Sequence, residues 1–106
     1  MINKLKEKHI HNIITNNEIT EKCEWIKAFG SVIREDCRED SDIDLFIKLK
    51  EPTEENANEV FITLSLMYDG IGEVDVFFEH EQSGKANPML LENMNRGLKI
   101  YECTTK

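Results

Sequence analysis

The chain has 106 residues, of which 40% are apolar and 32% are charged, and its formal net charge is -8. This length predicts a single domain over residues 1–106, and the composition is that of a folded globular protein rather than a disordered segment. The negative charge argues against direct binding of nucleic acid, whose affinity comes mainly from basic side chains on phosphates, and instead favours nucleotide phosphates neutralised by carboxylate-bound cations.

The first half of the chain contains one predicted helix and two predicted strands: an amphipathic helix from Ile2 to about Asn16, then strands Trp25–Phe29 and Asp42–Lys48. Gly30 closes the first strand. The residues between the strands, 31–41, leave room for a short helical turn that begins at Ser31, a good N-cap residue, and for a polar loop.

The second half contains two further helices and two further strands: a helix from Pro52 to about Gly70, a strand Glu73–Glu79, a helix Pro88–Arg96 and a short strand Leu98–Tyr101. Val60, Leu64 and Met67 mark the buried face of the first of these helices. Phe61 and Tyr68 are expected beside them on that face. The alternation of strands and helices predicts an α/β or α+β domain with a small mixed sheet of about four strands.

The three cysteines, Cys23, Cys37 and Cys103, are widely spaced and include no CxxC pair, so they predict neither a disulfide framework nor a zinc site. The N-terminus has no apolar core of signal-peptide length, and no stretch approaches the length of a membrane span. We therefore expect a cytoplasmic protein without a membrane partner.

Asp42 and Asp44 stand at the start of the second predicted strand. Residues two apart in a strand project from the same face, so these carboxylates point together while Ile43 and Leu45 face the core. Two carboxylates on one face repel each other unless a cation lies between them, which favours a divalent metal site. The alternative is an acidic pair at a solvated edge of a sheet, which is common.

Asp75 lies between Val74 and Val76 in an otherwise apolar predicted strand, where an unpaired charge is costly. If that strand lies beside the one that carries Asp42 and Asp44, three carboxylates can hold two Mg²⁺ ions roughly 4 Å apart, which stabilises the attacking and leaving oxygens in phosphoryl transfer. The alternative is that Asp75 is an exposed edge residue.

Gly30 and Ser31 fall where a predicted strand turns into a helical segment. Glycine lets the backbone approach a phosphate, the first helical N–H groups point at it, and the Ser31 hydroxyl adds a donor. A Gly-Ser turn is by itself a common strand–helix connection. Only its combination with the carboxylates indicates a nucleotide site.

The pair Gly30-Ser31 is followed, after ten residues, by Asp42 and then Asp44. This spacing resembles the GS-x10-DxD signature of the polymerase-β-like nucleotidyltransferase superfamily. The core motif spans residues 25–79, and the closing GLKIYE also resembles the last strand of short members. The chain is similar to the minimal nucleotidyltransferases that are often encoded beside a HEPN-domain protein in prokaryotic toxin-antitoxin pairs.

The resemblance implies a role for each of these residues. Asp42, Asp44 and Asp75 would ligate two Mg²⁺ ions, and Asp75 would also help deprotonate the acceptor hydroxyl. Gly30 and Ser31 would hold the triphosphate tail of ATP or another nucleoside triphosphate.

Arg34 matches a basic position that is common in the GSxxR turn of this family. Three residues beyond Ser31, it would lie on the same side of a helix and could reach a phosphate. The alternative is a salt bridge to one of the nearby carboxylates, which are Glu35, Asp36 and Asp40. The family often has glycine after this arginine, where the present chain has Glu35, so the loop is expected to differ in shape.

The resemblance implies an enzyme that moves a nucleoside monophosphate, AMP from ATP, onto a hydroxyl. Because the chain is short, we expect the acceptor to belong to a partner protein; by the resemblance it is a tyrosine of a HEPN toxin, and the enzyme is the antitoxin. One alternative is a non-catalytic module that neutralises its partner by covering it. Another is a small-molecule nucleotidyltransferase of the aminoglycoside type. Each function is compatible with an oligomer.

Overall fold

Four strands form one mixed sheet in the order β3-β2-β1-β4. The strands are β1 (Cys23–Phe29), β2 (Ile43–Leu49), β3 (Val74–Phe78) and β4 (Leu98–Glu102). Strand β1 is antiparallel to both β2 and β4, whereas β2 and β3 are parallel. The computed structural model describes residues 2–67, 74–81 and 88–103. The predicted α+β fold with a four-stranded mixed sheet is confirmed.

Helices cover the two faces of this sheet to different extents. They are α1 (Glu7–Ile14), α2 (Asn17–Thr20), α3 (Glu54–Met67) and α4 (Pro88–Asn95). The apolar residues of α1, α2 and α3 join those of the strands in one large buried cluster. On the opposite face, Met94 of α4 is buried with Phe29 and Phe46 in a smaller cluster. Of the described residues, only those of α4 pack as a helix on the second face, so they cover it in part.

Strand β2 shows how the sheet separates these two clusters. Ile43, Leu45 and Ile47 are buried in the large cluster, as predicted for the first two. Phe46 belongs to the smaller cluster. Because successive side chains of a strand point to opposite faces, Asp44 shares the face of Phe46. Strand β2 thus presents a carboxylate on the partly covered face.

The N-terminal segment is more broken than the single predicted helix. A 3₁₀ turn at Lys4–Lys6 precedes α1, which ends at Ile14. The Asn16 side chain then accepts a hydrogen bond from the Glu18 N–H at 2.9 Å, which satisfies one of the first free donors of α2. A second helix therefore begins near the position where the predicted helix was expected to end.

Helix α3 agrees with its predicted buried face except at Phe61. Val60 and Leu64 are buried, but Phe61 is 51% exposed, so its predicted burial is wrong. The reason is helical geometry: Phe61 is rotated by about 100° from Val60 and lies outside the narrow stripe that faces the sheet. Tyr68 and the predicted end of the helix near Gly70 lie outside the described residues.

The remaining predicted elements agree with the structure to within one or two residues where it describes them. Of the predicted loop 81–87, only Glu81 is described, in a 3₁₀ turn over Glu79–Glu81. None of the three cysteines forms a disulfide bond. No helix in the described part of the chain is long and apolar enough to cross a membrane.

Candidate active site

Asp44 and Asp75 lie side by side at the end of the sheet where β2 and β3 begin, which we call the sheet edge. The parallel pairing places Asp44 opposite Asp75, and the antiparallel pairing places Phe29, the last residue of β1, opposite Asp44. A row of three residues therefore crosses the sheet. Gly30 follows directly on the first of them, so the Gly-Ser turn and both carboxylates meet at one edge.

The Asp44 carboxyl lies in surroundings that disfavour its charged form. Partial burial raises its pKa from 3.8 to about 6, and the charge of Asp75 and a hydrogen bond between the two carboxyls act in the same direction. The charge of Asp42 raises this pKa further, whereas Arg34 lowers it. Two carboxyls can share a hydrogen bond only if one of them holds a proton. A divalent cation in place of that proton would relieve the same repulsion.

Gly30 turns the chain from β1 toward the loop with a φ of +74°, which glycine adopts without strain. A Cβ at this position would overlap the Oδ2 atom of Asp44. The carboxylate therefore lies directly against the glycine backbone. This close approach explains the need for glycine and fixes the turn beside the carboxylate pair.

Ser31 lies inside the 3₁₀ turn Gly30–Ile33 and does not cap it. Phe29 precedes the turn and makes no side-chain capping hydrogen bond, so the prediction that Ser31 is the N-cap is wrong. The positive φ of Gly30 lets the turn start one residue earlier than expected. The first N–H groups of such a turn have no acceptor within it. Gly30, the first residue of this turn, lies against the Asp44 carboxyl.

Arg34 pairs with a neighbour in the acidic loop. Its Nε donates to Oδ1 of Asp36 at 3.0 Å, which is one of the alternatives predicted from the sequence. The backbone at Arg34 is extended, with φ of -120° and ψ of 162°, so the prediction that it shares a helix side with Ser31 is wrong. The guanidinium charge nevertheless lowers the pKa of Asp44, so it lies near enough to influence the site.

Asp42 is exposed and precedes β2 by one residue. Within residues 2–67, 74–81 and 88–103, no group of three or more His, Cys, Asp or Glu side chains stands ready to hold a metal ion. The Asp44–Asp75 pair still has the donor chemistry that Mg²⁺ prefers, since two carboxylates share a partly buried position. Asp42, whose charge influences Asp44, is the candidate third ligand.

The loop at 31–42 is held by the N-terminal segment, which the sequence interpretation did not connect with the site. The Asn3 N–H donates to the Val32 carbonyl at 2.8 Å. The Asn3 side-chain amide donates to the Arg34 carbonyl, also at 2.8 Å. One residue thus holds Val32 and Arg34, at the start of the loop that follows the Gly-Ser pair.

Lys6 holds the same loop further along. It is only 1% exposed, and its Nζ donates to the Glu39 carbonyl at 2.7 Å. A signal for this burial exists in the sequence: Lys6 precedes Ile10 by four residues and Ile13 by seven, so it lies on the apolar stripe of the first helix. A lysine on such a stripe needs a specific acceptor.

The chain matches the family model described as Polymerase beta, Nucleotidyltransferase over residues 4–105. The match includes the Gly-Ser turn and both strands that bring the carboxylates together. A search of the curated proteins found no match. Domains of this family generally transfer nucleoside monophosphates from a nucleoside triphosphate with the help of divalent metal, which agrees with the donor chemistry of Asp44 and Asp75. With nearly its whole length matched, the chain belongs to the polymerase-β-like nucleotidyltransferase family.

Proposed function

We propose that this chain transfers AMP from ATP onto a hydroxyl group and releases pyrophosphate. The observation that carries the proposal is the contact at the sheet edge, where the Gly30 backbone lies against Asp44 and Asp44 lies beside Asp75. A phosphate bound to the N–H groups of the turn would be adjacent to the carboxylates that hold its counter-ions.

In the proposed reaction, the acceptor oxygen forms a bond to the α-phosphorus while the bond from that phosphorus to the β-phosphate oxygen breaks. Asp42, Asp44 and Asp75 would hold two Mg²⁺ ions, which supply positive charge for the attacking and leaving oxygens when bound. The Asp75 carboxylate accepts the proton of the acceptor hydroxyl. Gly30 and Ser31 bind the triphosphate tail, whose β- and γ-phosphates depart together as pyrophosphate.

Arg34 has a second role in this proposal. Its ion pair with Asp36 is exposed on both sides, with side chains 58% and 67% accessible. Exposed pairs of this kind contribute about 0–1 kcal/mol, so an incoming triphosphate can compete for the guanidinium at little cost. Arg34 would then neutralise charge on the phosphate tail.

The acceptor that we propose is a tyrosine of a HEPN-domain partner, whose modification would silence a toxin and make this chain an antitoxin. The support is the minimal GS-x10-DxD pattern and the net charge of -8, which disfavours nucleic acid as acceptor. Cytoplasmic action fits three cysteines that form no disulfide bond.

The test combines the purified chain with the product of the neighbouring gene, Mg²⁺ and each of the four nucleoside triphosphates in turn. We expect the partner to gain the mass of one AMP with ATP. Asp44→Asn should lower the rate by about 100-fold or more, as expected when a charge that acts in the transition state is removed. Asp40→Asn, which removes an exposed carboxylate of the same loop, is the matched control and should leave the rate unchanged.

An unmodified partner in the presence of all four triphosphates would refute protein nucleotidylation. Screening labelled ATP against aminoglycosides and other hydroxyl-bearing small molecules would then show whether the acceptor is of that class. Equal rates for the Asp44→Asn and Asp40→Asn variants would remove the carboxylate pair from the mechanism.

A second candidate is a non-catalytic module that neutralises its partner by covering it. The observation that favours it is the pairing of Arg34 with Asp36, which turns the cation toward the acidic loop, together with the exposed Asp42. In that case Asp44→Asn would still neutralise the partner, whereas substitutions in the contact surface would not.

A further inference from the structure

Helix α3 carries three large apolar side chains on its solvent side. Phe61 is 51% exposed, Ile62 56% and Leu66 77%. Ile62 and Leu66 are four residues apart and therefore neighbours along one side of the helix. Single exposed apolar residues are ordinary, but several on one helix face indicate a site of interaction.

The first half of the same helix is acidic. Glu54, Glu55 and Glu59 are exposed there, so the solvent side of α3 changes from carboxylates to apolar residues along its length. A groove of about 300 Å³ runs beside it; its walls are formed by Glu18, Lys22, Glu59, Ile62 and Thr63. Glu59 pairs with Lys22 at 3.1 Å in this groove, so the exposed carboxylates Glu54 and Glu55 carry the acidic character of the surface.

We propose that this face of α3 binds an amphipathic helix of a basic partner protein. Apolar side chains of the partner would pack on Phe61, Ile62 and Leu66, and its lysines or arginines would face the glutamates. A helix suits this surface because the ridge of one helix packs into the groove of another. Charge complementarity favours a basic partner over a second copy of this chain, because two chains of net charge -8 repel each other at their acidic halves.

The position of the surface relates it to the active site. Helix α3 connects the parallel strands β2 and β3, so its C-terminal end returns to the sheet edge where both strands begin, with only residues 68–73 between α3 and β3. Leu66, in the last turn of α3, lies toward the end of the sheet that carries Asp44 and Asp75, although α3 packs on the face of the sheet opposite to that of Asp44. The identification of the partner as the acceptor rests on the proposed function, whereas the binding itself does not.

The probe for this surface is a fluorescein-labelled synthetic peptide of about 18 residues, long enough to cover a helix of the length of α3. Leucines repeat in it at helical spacing and lysines fill the other positions; a second peptide has glutamate in place of lysine. Fluorescence anisotropy should show binding of the basic peptide alone. The double variant Ile62→Gln/Leu66→Gln should weaken it about tenfold.

Two further variants test separately whether binding depends on the glutamates of α3 and whether it depends on the position of the apolar side chains. Glu54→Gln/Glu55→Gln should weaken binding of the basic peptide a few-fold and reduce its salt dependence. Met89→Gln replaces an apolar side chain that is 74% exposed on α4 and should leave the affinity unchanged. Equal binding of the acidic peptide, or equal affinity of the Ile62→Gln/Leu66→Gln variant, would overturn the proposal.

Sedimentation of the chain alone tests for a second copy. A dimer that the Ile62→Gln/Leu66→Gln variant abolishes would assign the face to self-association and overturn the proposal. Binding of a non-hydrolysable ATP analogue is measured in parallel. Peptide binding without binding of the analogue would refute the proposed function alone, while binding of the analogue without the peptide would refute the docking surface alone.

Discussion

The face of the sheet under α1, α2 and α3 and the face under α4 are built from the same four strands, yet they differ in cover. Three helices close the first face over a continuous cluster of aliphatic side chains. On the second, α4 buries Phe29, Phe46 and Met94 and leaves the edge with Asp44 and Asp75 partly accessible. The closed face stabilises the fold, whereas carboxylates that are to bind a ligand need a face that water can reach.

The largest loss of stability is expected from the closed face. Leu45 is fully buried in the middle of β2, and Leu45→Ala should lower the free energy of unfolding by about 3 kcal/mol through lost burial and a cavity. Phe77→Leu, on the α4 face where the Phe77 ring lies 5.6 Å from that of Phe29, should cost about 1 kcal/mol. Urea unfolding followed by Trp25 fluorescence measures both. Similar losses in the free energy of unfolding for the two variants would mean that both faces of the sheet contribute equally to stability.

Gly30→Ala should have the next largest effect, because it strains the backbone at φ +74° and forces Asp44 to move. We expect a loss of about 2 kcal/mol in the free energy of unfolding and a clear loss of affinity for a non-hydrolysable ATP analogue. Ser31→Ala, one residue further on, should change stability by less than about 0.5 kcal/mol. Calorimetric titration and thermal unfolding give both quantities, and a Gly30→Ala variant with normal stability would contradict the close approach to Asp44.

Asp44→Asn should stabilise the metal-free protein, in contrast to Leu45→Ala and Gly30→Ala. Because the pKa of Asp44 is raised from 3.8 to about 6, the folded state binds its proton more tightly than the unfolded state, and stability falls as the pH rises from about 4 to 6. The Asp44→Asn variant lacks this loss of stability with rising pH. Above pH 6 we expect the free energy of unfolding of the variant to exceed that of wild type by about 1 kcal/mol, and near pH 4 we expect little difference. The gain is smaller than the full pKa shift implies, because the carboxyl is partly exposed.

Unfolding curves of wild type and Asp44→Asn at several pH values test this expectation. Asp40→Asn, at an exposed position of the loop, should give no comparable trend. Added Mg²⁺ should stabilise the wild type and not the Asp44→Asn variant. If the gain in stability of Asp44→Asn did not depend on pH, the carboxylates of Asp44 and Asp75 would not repel each other at the sheet edge.

Lys6→Met should have a small effect on stability and tests whether the N-terminal segment shapes the site. Removal of a buried ammonium offsets the loss of its hydrogen bond to Glu39, so the free energy of unfolding should stay within about 1 kcal/mol of wild type. Affinity for the ATP analogue should fall about threefold as the loop loosens, a cost below 1 kcal/mol. Lys4→Met, at an exposed position, should leave it unchanged. Equal affinities in both variants would restrict Lys6 to a structural role.

Features set by short sequence spacing were predicted well. The strands around Asp44, and the inward direction of Ile43 and Leu45, follow from an alternation that operates over two residues. The short helix α2, which follows directly on the predicted end of the first helix, was not predicted, because capping by Asn16 depends on which backbone groups find acceptors. Phe61 was misplaced because its exposure depends on how wide a stripe of α3 the sheet covers.

The sequence by itself determined the strands, the carboxylates and the spacing that joins them to the Gly-Ser turn, since these depend on neighbouring residues and on the φ freedom of Gly30. Only the tertiary structure decided that β3 pairs in parallel with β2 so that Asp75 stands beside Asp44. It also decided that Arg34 pairs with Asp36 and that Lys6 is buried against the loop. The reason is that each of these contacts competes with water and with other partners, and long-range packing selects among them.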